Sequence, residues 1–160
     1  MVILWAAWAM GADPSSYTGT WVLDLEASQS PVALMAEQGF SWVEREVAKR
    51  MNVTQVMTAT AERVELRIES SLRNSSETLI VDGVPRPGEG RGGPVSALHR
   101  WATDGALVTE VEQPVGEGCP CKTVVNRSID GDILTQWITW TASDGRVVSL
   151  KRVLRLAKPS

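Results

Sequence analysis

Arg152 makes the clearest chemical demand in this sequence. It belongs to the alternating run Val148, Leu150, Arg152, Leu154 and Leu156, which sets one guanidinium among aliphatic side chains on a single face. A guanidinium keeps its charge and is costly to bury alone, so this position calls for an anion or several hydrogen-bond acceptors. His99, the only histidine, stands in Leu98-His99-Arg100-Trp101. A single imidazole on a strand is ordinarily a satisfied polar residue; as an axial ligand it would serve a pigment or a haem. Cys119 and Cys121 flank Pro120, a tighter spacing than a Cys-x-x-Cys clip. The pair reads as two ordinary thiols in a turn, with a redox pair or a soft-metal loop as the alternatives. No Ser-His-Asp order, His/Cys metal cluster, phosphate loop or carboxylate pair at fixed spacing stands out, so no catalytic residue, metal or cofactor is expected. The Asn-x-Ser/Thr triplets at Asn52, Asn74 and Asn126 would matter only in a secreted chain.

The elements that must position these groups follow from length and periodicity. The chain of 160 residues suits one hydrophobic core. Sixteen Lys and Arg against nineteen Asp and Glu give a formal charge of −3, with no dense basic block, which excludes the electrostatic footprint of a nucleic-acid binder. Met1 to Met10 carry no charge, span about half of what a membrane helix needs, and lack the basic start of a secretory signal. Residues 1–16 therefore read as an apolar leader and linker, and 17–158 as the folded domain. Trp21, Leu23 and Leu25 alternate with Thr20, Val22 and Asp24, which predicts a first strand. Ser30 to Gln38, with Pro31 at the first helical position and Gly39 as a stop, predicts a short helix. Phe40 to Arg50, capped by Ser41, predicts a second.

Beyond Met51 only strand-like runs follow: 53–60, 63–73, 76–81, 95–103, 106–112, 123–129, 133–142 and 146–156. With the first strand they make nine, and a tenth is sought around Met57. Asp104-Gly105, Asp130-Gly131 and Asp144-Gly145 are hairpin signals, so consecutive strands are antiparallel neighbours. Asp82 to Pro94 is too rich in Gly and Pro for a strand and reads as a mobile loop. An antiparallel sheet this long without covering helices must close or split into two layers, and either way its interior is the candidate pocket. On the third strand Leu66, Ile68, Ser70 and Leu72 share the inner face.

Several of these residues resemble the intracellular fatty-acid-binding protein family of the calycin superfamily. Tyr17-x-Gly19-Thr20-Trp21 stands where that family has aromatic-x-Gly-Thr-Trp, and Gly39-Phe40 follows at its spacing. Glu69 to Asn74 is similar to its Glu-Ser-Thr-Phe-Lys-Asn strand, Asp104 to Leu107 to its Asp-Gly-Gly-x-Leu turn, and Lys151 to Arg155 to its terminal Thr-Arg-Val-Tyr-Glu-Arg. The resemblance spans residues 17–157. It implies an all-β fold, a ten-stranded antiparallel up-and-down β-barrel with a helix-turn-helix lid between strands one and two. Carried over by position, Arg152 matches the family's second carboxylate-binding arginine, the first falls on Asn126 with Arg127 pointing outward, and the ligand-binding tyrosine falls on Leu154. Thr135, Trp137 and Thr139 match inward positions of the penultimate strand, while Trp42 and Leu72 match portal positions. Trp21 reads as a plug at the barrel base.

The function this implies is binding and intracellular carriage of a hydrophobic, carboxylate-bearing small molecule such as a fatty acid, by a cytoplasmic monomer whose lid touches membranes transiently. The alternatives are a calycin-type barrel enzyme, an isomerase, cyclase or lyase using Asn126, Arg152, Thr135 and Thr139, or a pigment or haem carrier.

Overall fold

A computed structural model describes residues 12–90, 93–116 and 119–158, with the side chains of 114–120 outside the description. The apolar opening run Met1 to Met10 also lies outside it. A 3₁₀ turn, Pro14–Tyr17, leads into β1 (Gly19–Asp24), followed by α1 (Val32–Glu37) and α2 (Trp42–Ala48). The strands β2 (Val53–Ala59), β3 (Arg63–Ser70), β4 (Ser75–Ile80), β5 (Arg86–Gly90), β6 (Gly93–Trp101), β7 (Leu107–Gly116), β8 (Cys119–Asp130), β9 (Ile133–Thr141) and β10 (Val147–Leu156) complete the chain. All are antiparallel neighbours in one sheet ordered β4-β3-β2-β1-β10-β9-β8-β7-β6-β5. The sheet curls into the expected ten-stranded barrel, with the first and last strands, β1 and β10, paired within it, β4 and β5 as its edges, and the helices between β1 and β2 as a lid.

The tenth strand is β5, inside the stretch whose Gly and Pro content predicts a loop. Its five residues are all exposed and pair only with β6, and an edge strand is where a sheet most readily accommodates Pro and Gly along its length. The three Asp-Gly dipeptides do turn hairpins, with Gly105, Gly131 and Gly145 at φ of 84°, 59° and 88°. Gly19 has a different reason for being glycine: at φ 151° a Cβ would stand 2.7 Å from Leu156 Cδ1 of the partner strand.

Two apolar clusters fill the two ends of the barrel. The base holds Tyr17, Trp21, Leu23, Met57, Val64, Leu66, Leu79, Leu107, Leu134 and Leu154, all buried. Trp21 Nε1 donates to the Tyr17 carbonyl at 2.9 Å, and the Tyr17 hydroxyl shares its proton between the carbonyls of Arg127 and Gly105, at 2.8 and 2.9 Å. Trp21 is thus the base plug its sequence context predicts. The other end holds Leu34 of α1 against Trp140, Ala142 and Leu150. Each such aliphatic burial contributes about 1.5–3 kcal/mol, enough to seat a helix of this length that could not persist alone. Glu37 adds an ion pair with Arg146 at 2.9 Å. The second helix carries a capping box in which Ser41 Oγ accepts from the Glu44 N–H and Glu44 accepts from the Ser41 N–H. Cys121 is disulfide-bonded, so the expectation of ordinary thiols is corrected. Among the described residues no helix is long and apolar enough to cross a membrane, and no metal-ligating cluster occurs.

Candidate ligand-binding site

A polar belt crosses the inner face between the two apolar ends. Its register is set by three ladders: Leu107 faces Arg127, Arg127 faces Gln136, and Gln136 faces Arg152. Directly opposed residues share a face of the sheet, so Arg127, Gln136 and Arg152 project side by side into the interior. From the far wall Gln55 Nε2 donates to Gln136 Oε1 at 3.0 Å. Thr109 and His99, also opposed, extend the belt along β7 and β6, with His99 Nδ1 and Thr109 Oγ1 2.8 Å apart.

The two guanidiniums are charged groups in a poor solvent. Arg127 is 5% exposed, and burial lowers its pKa to about 10, eased by the field of Glu77 on β4. It stays protonated at neutral pH, yet its Nε has no hydrogen-bond partner. Burial also lowers the pKa of Arg152. Among the described residues no carboxylate forms an ion pair with either. Burial, with Arg127 and Arg86 adding to it, lowers the pKa of His99, which favours the neutral ring. Such a belt can receive an anion, and it offers both forked donors and amides to orient one.

The sequence places Arg152 and Leu154 on the inner face, and there they are, Leu154 within the base cluster. Leu66 is buried inside, Ile68 packs on the same core, and Ser70 lies at the strand end with its hydroxyl bonded to the Arg73 carbonyl. Five residues lie on the face opposite to the expected one. Asn126 pairs with Trp137 on the outer face, and Arg127 takes the inner position. Thr135, Trp137 and Thr139 point outward, Trp137 being 43% exposed with Lys151 Nζ 5.6 Å over its ring. The reason is the strict period of two: a shift of one residue moves a whole strand to the other face. The signal was present, since Leu134, Gln136, Ile138 and Trp140 form the more apolar alternate of β9, and Val125, Arg127 and Ile129 that of β8. Gln55, Thr109 and Gln136 went unforeseen because an amide or hydroxyl on a mostly apolar face has no distinctive spacing. Trp42 and Leu72 are exposed, Trp42 at 67%, on the lid helix and in the β3–β4 connection. They stand clear of the belt.

Solved structures share this architecture. A Schistosoma mansoni fatty acid binding protein in complex with arachidonic acid superposes with a TM-score of 0.70 at 24% identity, over 92% of this chain and 100% of that one. The fold is that of the fatty-acid-binding proteins. Lipid binding protein 8 of Caenorhabditis elegans gives a TM-score of 0.74 at 14% identity, over 92% and 99% of the two chains. Human cRBP IV gives 0.69 at 22%, over 90% and 100%. No protein-family model and no curated protein matches the chain by sequence. Within this fold the strand ladders set Arg127, Gln136 and Arg152 side by side on the inner face of the sheet.

Proposed function

We propose that this chain binds and carries a hydrophobic small molecule with an anionic head, a fatty acid or a related lipid, inside the barrel. The observation that carries the reading is the buried Arg127 and the half-buried Arg152 flanking Gln136, with no carboxylate in ion-pair contact among the described residues. A carboxylate seated between them would receive charge-assisted hydrogen bonds and relieve both desolvated cations, while its chain lies against the apolar ends. The Schistosoma protein of this fold holds arachidonic acid, which supports the same class of ligand here. Transient contact of the lid with membranes belongs to the proposal too, supported by exposed Trp42, Val43 and Val47 beside Arg45, Lys49 and Arg50 on or next to α2. The cytoplasmic expectation meets one opposing observation: the disulfide at Cys121 suits an oxidising compartment. A thiol count on protein taken from its native compartment decides between them.

Native mass spectrometry of the purified protein is expected to show one fatty-acid mass per chain, and displacement of a fluorescent fatty acid to give an affinity that Arg152→Ala weakens about tenfold or more. Equal affinity in Arg152→Ala would remove that residue from the site. A recovered molecule chemically altered on incubation would favour the enzyme alternative.

A further inference from the structure

The belt contains a second unmet polar group, and it asks for something a plain carboxylate does not bring. Gln55 is 2% exposed, its Nε2 is engaged by Gln136, and its Oε1 has no hydrogen-bond partner. Its register neighbours supply no donor: Ile68 has none, and the Trp21 N–H is committed to the Tyr17 carbonyl. Two buried atoms of opposite kind lack partners, Arg127 Nε an acceptor and Gln55 Oε1 a donor, and Gln136 links their residues, opposite Arg127 in the ladder and hydrogen-bonded to Gln55. Because Gln136 lies directly opposite both arginines and holds Gln55, the unmet acceptor sits beside the place of the anionic head.

We propose that the occupant carries a hydroxyl on one of the first carbons beyond its carboxylate, as a 2- or 3-hydroxy fatty acid does, and that this hydroxyl donates to Gln55 Oε1. The proposal rests on the carrier reading above and narrows it to a ligand class. The carboxylate answers the guanidiniums and the hydroxyl answers the amide, so a single head group completes both. A site built around a hydroxyl discriminates against the analogue lacking it, since the buried amide oxygen is then left unmade.

The test is a set of displacement titrations with hexadecanoate and its 2-hydroxy, 3-hydroxy and 16-hydroxy forms. The 2- or 3-hydroxy acid is expected to bind about tenfold tighter than hexadecanoate, the 16-hydroxy acid to show no advantage, and the ratio to fall to about one in Gln55→Met. Equal affinities, with Arg152→Ala weakening every ligand, overturn the hydroxyl site and leave carriage standing. An advantage that survives in Gln55→Met overturns Gln55 as the acceptor. Failure of all four ligands to bind overturns both readings. Should Gln55→Met lose its circular dichroism signature, the wild-type ratio of 2- and 3-hydroxy to 16-hydroxy acid decides alone.

Discussion

Arg127 shows how much one side chain can cost and contribute at once. Under the proposed carriage, a buried guanidinium with an unpartnered Nε serves recognition at the expense of stability, so removing it should relieve the fold while damaging binding. Arg127→Met is expected to raise the ligand-free protein's stability by about 1–3 kcal/mol in urea titrations while weakening fatty-acid binding. Asn126→Ala, one residue away on the outer face, should leave affinity within a factor of two. If Asn126→Ala were the damaging change, the inner face of β8 would be misassigned. The demand of Arg152 was legible from its aliphatic alternation. That of Arg127 was obscured by matching positions across distant sequences, where one residue of slip exchanges the two faces.

At the scale of elements, the lid is held at one end and bare at the other. Leu34 anchors α1 to Trp140 and Leu150, whereas α2 buries only Ala48 and leaves Trp42, Val43 and Val47 in solvent. Opening should therefore be governed by the α1 contact. Leu34→Ala removes about 2–3 kcal/mol of packing and is expected to speed ligand dissociation about tenfold or more in stopped-flow release, with the barrel's far-ultraviolet spectrum retained. Unchanged release would show that the ligand leaves by another route. The helices were legible because caps and stops are local chemistry: Ser41 with Glu44, Gly39 after α1. The strand β5 was not, because its place depends on being an edge, which no residue within it announces.

For the whole molecule, the order of elements other than β5 was legible from Gly19-Thr20-Trp21 and the Asp-Gly turns, since hairpins between successive strands leave little freedom of topology. The same wholeness sets the response to acid. The pKa of His99 lies below its ordinary 6.5 in the folded chain, chiefly through burial, so the unfolded chain takes up a proton first as pH falls. Its contribution to stability is full above pH 6.5 and declines below it until the folded ring titrates. Urea midpoints should fall between pH 7.5 and 5.5, by less in His99→Gln than in the wild type. An equal fall in both would assign the acid sensitivity to other groups.

The sheet's two edges, β4 and β5, meet in sequence at the short connection from Val81 to Pro85, and no ladder crosses it. The protein is therefore divisible. Cut there, residues 12–83 and 84–158 would retain every strand ladder, with the β1–β10 pairing from Trp21 and Leu156 to Asp24 and Val153 rejoining the pieces. The division also partitions recognition, because Arg127, Gln136 and Arg152 travel with the larger piece and Gln55 with the smaller. Separately produced fragments should bind no fluorescent fatty acid apart and recover binding when mixed, which would make this container a two-part device whose assembly reports its own cargo.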